Sequence, residues 1–342
     1  MKKTKQLPTE PKRLGEDTLL GRIETIAART AIRGSGVRLG IGDDASVFRG
    51  SKGFEQVFTC DWFLEGTHFL RDKHPPDAVG WKCLARALSD VAAMGGVPRC
   101  FLLNLALPAS HTGPWLDEFL QGLCRAAKRF GCVLAGGDTT RRADVLINVT
   151  VVGEVRTGSA VMRSGARPGD VLFVSGRLGE AELGLELIRK SKRRLSSRDP
   201  ILKKHLYPEP RLALGRWLAE NRLASAMMDL SDGLSTDLPR LCAACEVGAL
   251  IEAEKLPAVR ARKGVESLDD DSLRFALHGG DDYELLFTVP RKKFNKIPRS
   301  FSGLPLTAIG KITKERRLLL AENSGREISL PNRGWDPFRQ KP

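Results

Sequence analysis

Gly40-Ile41-Gly42-Asp43-Asp44 is the first of a series of aspartate-bearing turns, and the meaning of that series decides the fold. Its two glycines open left-handed backbone conformations, and two carboxylates follow at once. Related pieces recur at Thr59-Cys60-Asp61, Leu88-Ser89-Asp90, Gly136-Gly137-Asp138-Thr139-Thr140, Asp229-Leu230-Ser231-Asp232-Gly233 and Gly279-Gly280-Asp281-Asp282. Aspartate and glycine are ordinary turn formers, so a single piece of this kind carries little. The repetition carries more. Carboxylates that converge raise one another's pKa unless cations neutralise them. Magnesium takes hard oxygen ligands and, where phosphates share it, one or two carboxylates per ion. Single aspartates on separate glycine-rich turns are therefore the ligands that a multi-metal phosphate site would need.

Around this loop, 45–48 and 56–60 read as two strands, with Gly50-Ser51-Lys52-Gly53 as the turn between them. Such a hairpin would bring Asp44 and Asp61 to one end of a sheet. Upstream, Leu19, Leu20, Ile23 and Ile26 have helical spacing over 16–28. Downstream, Pro75-Pro76 opens a helix that runs to Met94 and stops at Gly95-Gly96. Trp81, Leu84, Ala85, Leu88, Val91 and Ala92 fall on one stripe of it. Asp90 falls on another side, flanked by Lys82 and Arg86, and reads equally as an i−4 partner of Arg86 or as a carboxylate awaiting a cation. Strands over 101–107, 133–135 and 145–155 alternate with an amphipathic helix over 115–130, which gives an α/β (α+β) domain. The apolar pattern lapses over 156–169 and then resumes with strands near 171–174, 226–228, 249–251 and 283–289. Helices near 180–188, 211–219, 234 onward and 272–277 interleave with them. The expected organisation is a disordered basic arm over 1–14, a first domain over 15–157 and a second over 158–342.

Composition narrows the function classes. At 342 residues the chain exceeds a comfortable single core. With 42% hydrophobic and 28% charged residues it reads as globular. No apolar run approaches a membrane span, so a cytoplasmic protein is expected. Seven cysteines, an odd number set in apolar segments, do not form a disulfide framework. Cys242 and Cys245 make a lone C-x-x-C on a predicted helix, where core packing explains them better than zinc. The net charge of +14 gathers in Lys2, Lys3, Lys5, Lys12, Arg13 and in the run 189–194. No aromatic residues interleave with these runs, which reads as a solvated tail and loop rather than a nucleic-acid platform. Neither a G-x-x-x-x-G-K-[ST] run nor H-R-D with D-F-G is present, and Gly34-Ser35-Gly36 lacks its third glycine. P-loop, protein-kinase and Rossmann readings all fail. His68, close behind the 59–61 aspartate turn, is a candidate functional histidine.

Taken together, Gly40–Asp44, Asp61 through Glu65-Gly66-Thr67-His68-Phe69, Ala87 through Gly95, Gly136–Thr140, Arg163-Ser164-Gly165-Ala166, Asp229–Gly233, Gly279–Leu285 and Gly334-Trp335-Asp336 resemble one family in its own order. The chain resembles the thiamine-monophosphate kinases, of the superfamily that includes aminoimidazole ribonucleotide synthetase and selenophosphate synthetase. The resemblance implies a two-domain synthetase-like fold, a homodimer formed through the first domain's sheet, and ATP with several Mg²⁺ bound between the domains. It implies metal ligation by Asp44, Thr59, Cys60, Asp61, Asp90, Asp138, Asp229 and Asp232. Gly137, Asp138, Arg163 and Ser231 would contact the nucleotide, and His68, Asp281 and Trp335 would hold thiamine phosphate. The catalytic set would be Asp44, Asp61, Asp90, Asp138 and Asp229. Two positions depart from the family's pattern. Cys60 replaces a hydroxyl residue and is a poor Mg²⁺ ligand, and Asp281 replaces a glutamate. The implied reaction is ATP + thiamine phosphate → ADP + thiamine diphosphate, without a phospho-enzyme. Alternatives are another member of the superfamily or a non-catalytic basic nucleic-acid-binding protein on the same fold. The intact aspartates oppose the latter.

Overall fold

The computed structural model describes residues 16–32, 36–39, 47–191, 199–259 and 272–336. The basic arm, the loop Gly40–Asp44 and the basic residues Lys192, Arg193 and Arg194 lie outside these residues.

The first half runs α1 (Glu16–Thr30), β1 (Val37–Leu39), β2 (Val47–Phe48), β3 (Phe54–Leu64), α2 (Pro76–Ala93), β4 (Val97–Leu107), α3 (Pro114–Phe130), β5 (Val133–Arg141) and β6 (Leu146–Arg156). Four long strands form one sheet in the order β3-β6-β4-β5. The expected hairpin between 45–48 and 56–60 does not form. β2 has only two residues and pairs with β1, whereas β3 pairs along its full length with β6, from Phe54 opposite Arg156 to Leu64 opposite Leu146. An eleven-residue partner rich in β-branched residues offers far more ladder and side-chain pairing than a two-residue one.

Side chains alternate across β3. Phe63 faces the core with Leu103, Val149 and Val151, covered by α1, α2 and α3. Phe54, Phe58 and Trp62 point to the other face, where they are 37%, 64% and 56% exposed. The β1–β2 ribbon covers one end of that face through Val37 and Phe48 and, among the described residues, leaves the rest open. α2 and α3 approach closely because Gly122 has no side chain; a Cβ there would fall 1.8 Å from the Asp77 carbonyl oxygen.

The second half contains β7 (Val171–Ser175), α4 (Glu180–Lys190), α5 (Pro200–Leu206), α6 (Leu212–Glu220), β8 (Ala226–Leu230), α7 (Leu234–Cys245) and β9 (Gly248–Glu252). It continues with α8 (Ser272–His278), β10 (Glu284–Val289), β11 (Ser300–Phe301), β12 (Leu304–Thr313), β13 (Leu318–Ala321) and β14 (Glu327–Ser329). Its sheet has the order β14-β13-β9-β12-β7-β10-β8, with β11 paired to β12. Cys242 is buried in this half's core, as expected, while Cys245 is half-buried and donates its thiol to the Arg163 carbonyl at 2.8 Å. α5 is an element that apolar spacing did not reveal. Two layers of mixed helix and sheet thus meet along α2, which touches β3 and β6 of its own half and α5, α6, β8 and β10 of the other.

Candidate active site

Lys82, Arg86 and Asp90 stand four residues apart, so they form one stripe along α2. The stripe meets both halves. Asp90 accepts a short hydrogen bond from the Thr59 hydroxyl on β3. Arg86 pairs with Asp61, also on β3, at 3.6 Å, rather than with Asp90 one turn away. Lys82 is fully buried and donates to Asp281 Oδ2 at 2.8 Å across the junction between the halves. The period of two along β3 puts Thr59 and Asp61 on the α2 side.

Asp229, at the end of β8, completes an acidic cluster on that side. Burial, and then the charge of Asp90, push its carboxyl up to about 8. Burial, and then Asp61, raise Asp90 as well, while the charge of Arg163 opposes that rise. Arg163 sits in the short 3₁₀ turn Arg163–Gly165. Among the described residues, no three histidine, cysteine or carboxylate side chains converge tightly enough to hold an ion by themselves. The donor set nevertheless fits magnesium: hard oxygens, and buried carboxylates that repel one another until a cation arrives. Asp44 lies outside the described residues.

Three expected members of the site stand apart. The Cys60 thiol is on the opposite face of β3 from Thr59 and Asp61; it contacts Asn148 at 3.1 Å and receives the Thr150 hydroxyl at 3.4 Å. Gly137 and Asp138 are on β5, at the far edge of the sheet. Asp61, Val149, Leu103 and Gly137 form one row across the four strands, so about 14 Å separates its ends at ordinary strand spacing. Gly137 adopts φ +152°, and a Cβ there would fall 1.8 Å from the Leu103 carbonyl oxygen. Asp138 follows in register with Asn104, Asn148 and Trp62 and so shares the open face.

The remaining expected residues meet. His68, Ser231, Asp232, Asp281 and Trp335 line one cleft of about 250 Å³. His68 Nδ1 accepts the Leu64 amide at 3.0 Å. Burial, and then the neighbouring Arg86, bring its pKa down to about 4, so the ring is neutral at pH 7. Asp281 takes a left-handed conformation, φ +65°, with its amide donating to the Ser231 carbonyl at 2.8 Å. Burial raises its carboxyl, but Lys82, then His205 and Arg86, outweigh this and hold it well below the usual carboxylate range. The Tyr283 hydroxyl also donates to Asp281, at 2.7 Å. Trp335 is anchored through its amide on the Asp232 carbonyl at 2.9 Å. The Asp232 side chain pairs with Arg240 at 2.6 Å.

Several side chains here were not singled out from sequence. Lys82 and Arg86 were visible only as flanks of Asp90. His205 on α5 lies 3.3 Å from Lys82 and 3.0 Å from His74, forming a buried polar chain behind Asp281. No sequence signal marks it, since α5 has no distinctive periodicity. Glu284, inside the Gly279–Leu285 motif, is a fully buried hub for Lys204, Arg211 and Ser175.

With this geometry in hand, residues 42–155 match the family described as AIR synthase related protein, N-terminal domain, and 167–321 match its C-terminal domain. The thiamine-monophosphate kinase of Bacillus subtilis is 33% identical over 326 residues, covering 93% of this chain and 98% of that one. The structure of thiamine-monophosphate kinase from Stenotrophomonas maltophilia superposes with a TM-score of 0.77 at 35% identity, covering 90% and 96% of the two chains. AaThiL complexed with AMPPCP and TMP superposes with a TM-score of 0.74 at 31% identity, covering 97% and 100%. Likeness of this depth along both halves leads to one assignment: the chain belongs to the AIR synthase related family and, within it, to the thiamine-monophosphate kinases.

Proposed function

We propose that the protein transfers the γ-phosphoryl group of ATP directly to thiamine phosphate, giving ADP and thiamine diphosphate. The observation that carries this reading is the adjacency of two sites: a cleft walled by Trp335, His68 and Asp281, and an acidic cluster reached through the same helix α2. Trp335 offers an aromatic face for the acceptor's rings. Asp281, held ionised by Lys82, offers a negative charge to the acceptor's cationic thiazolium. His68 is neutral and serves as a hydrogen-bonding group rather than a cation.

The nucleophile is a phosphate oxygen whose second pKa is about 6, so it is largely ionised at neutral pH and requires no strong general base. The difficulty is the approach of two polyanions. Magnesium, when bound, would supply charge neutralisation and in-line orientation of the phosphates. Asp44, Thr59, Asp61, Asp90, Asp229 and Asp232 would hold it, together with the backbone at Cys60, whose thiol faces away; Asp138, on the open face of β5, would serve only a separate ion. Gly137, Asp138, Arg163 and Ser231 would hold the nucleotide. A homodimer formed through the open face carrying Phe58 and Trp62 would cover apolar surface that a monomer leaves in water. In this reading the chain divides into 15–157 and 158–342 and works in the cytoplasm.

The test is ATP consumption with and without thiamine phosphate. Strong stimulation by the acceptor is expected. Absence of stimulation overturns the function, and covalent phosphate trapped on the protein by rapid quench with γ-labelled ATP overturns direct transfer.

A further inference from the structure

Arg86 occupies a position that the assignments above leave without a task. It lines the acceptor cleft together with His68, Asp281, Tyr283 and Trp335, and it also faces Asp61 of the acidic cluster. Its side chain is 14% exposed. The guanidinium lies 5.5 Å from the centre of the Phe63 ring, and among the described residues its one ion pair, 3.6 Å from Asp61, is longer than a hydrogen bond. Arg86 Nε is buried and has no hydrogen-bond partner among the described residues. A buried guanidinium with an idle donor and a loose partner is costly unless another anion completes it.

We propose that Arg86 is the residue that grips the phosphate of the acceptor, between the ring-binding end of the cleft and the metal-binding carboxylates. A planar guanidinium presents paired N–H donors that match two phosphate oxygens. Its place on the central stripe of α2 lies between Lys82, which serves Asp281, and Asp90, which belongs to the acidic cluster. A phosphate seated there has its free oxygen directed toward the carboxylate side, where the nucleotide's terminal phosphate would arrive. Arg86 thereby distinguishes a phosphorylated acceptor from the unphosphorylated alcohol. The inference rests on the kinase reading given above.

The experiment measures binding of thiamine phosphate and of thiamine to the full chain by calorimetry, for the wild type, Arg86→Gln and Arg86→Lys. Losing a charge-assisted pair lowers affinity by about 10–100-fold. Arg86→Gln is expected to lose that much for thiamine phosphate while thiamine binding is unchanged. Arg86→Lys should recover part of the loss. Equal weakening of both ligands, or an unchanged preference for the phosphorylated one, overturns the proposal. If Arg86→Gln does not fold, the same comparison on Arg86→Lys decides, with a loss confined to thiamine phosphate expected. A wild type whose ATP consumption ignores thiamine phosphate fails the kinase reading itself and takes this proposal with it.

Discussion

Lys82 Nζ lies 2.8 Å from Asp281 Oδ2, joining the most buried helix of the first half to the left-handed turn that precedes β10 in the second. The lysine is 2% exposed and the aspartate 27%, so the pair sits at the inner wall of the cleft. His205 and His74 extend it inward as neutral rings, their pKa values lowered by burial and by Lys82.

Removing one partner of a buried pair leaves the other uncompensated, at a cost of about 3–5 kcal/mol. Because Asp281 retains some contact with water, Lys82→Met should fall near the lower end, about 3 kcal/mol. Urea unfolding measures this. The same variant should raise the KM for thiamine phosphate more than that for ATP, because Asp281 belongs to the acceptor cleft. An unchanged acceptor KM would separate the pair from substrate binding.

The acidic cluster predicts opposite effects on stability and activity. Asp229 and Asp90 are both buried and repel one another. In metal-free buffer Asp229→Asn should unfold at the same temperature as the wild type or a higher one. Activity should fall by at least about 100-fold, the loss expected when electrostatic stabilisation of phosphoryl transfer is removed. Magnesium should stabilise the wild type, by about 2.7 kcal/mol at a hundred times its Kd, and the variant less. A large metal-free destabilisation would contradict the repulsion.

Glu284 should make stability depend on pH in acid. Burial raises its carboxyl, but Lys204 and Arg211 outweigh this and bring it down to about 2 from an ordinary 4.5. A depressed carboxyl contributes stability above its unfolded pKa and loses it as pH falls toward the folded value. Glu284→Gln should therefore be less stable than the wild type at pH 7, with the gap narrowing from about pH 4.5 downward toward 2. Urea midpoints of both proteins across that range test the sign.

The open face of the first sheet predicts oligomeric state. Light scattering should give twice the chain's 37.5 kDa for the wild type. Phe58→Asp together with Trp62→Lys should give a monomer, since both side chains are more than half exposed in the single chain. A wild-type monomer would remove the proposed dimer.

Sequence reading succeeded where a local rule decides the outcome. The helix after Pro75-Pro76 ends where Gly95 follows, and its stripe of Leu84, Leu88 and Val91 is fully buried. It failed where partners are chosen at a distance. Nothing local to Val47–Phe48 tells it to pair with Val37–Leu39, or β3 to pair with β6 some ninety residues later. The same limit hid α5 and His205, whose role depends on facing Lys82 across the junction between the halves. At Cys60 the residue type alone does not give the face, which the alternation along β3 sets opposite Asp61. Arg86 illustrates the remaining gap: i−4 spacing offered Asp90 as its partner, while the fold presents Asp61 from a neighbouring strand.

The stripe at residues 82, 86 and 90 rises along α2 by about 6 Å per step, so Lys82 and Asp90 are about 12 Å apart along the axis. The helix is in effect a ruler laid between the residue that secures Asp281 and the one that meets Thr59. What a ruler preserves is spacing. One residue inserted after Arg86 would turn Asp90 through about 100° away from its neighbours, though every side chain would survive. Substitutions around Asp281 could instead reshape the recognised ring system while leaving the point of transfer where it is. Acceptor choice and transfer chemistry are thus separable along a single helix, and the first can drift without recalibrating the second.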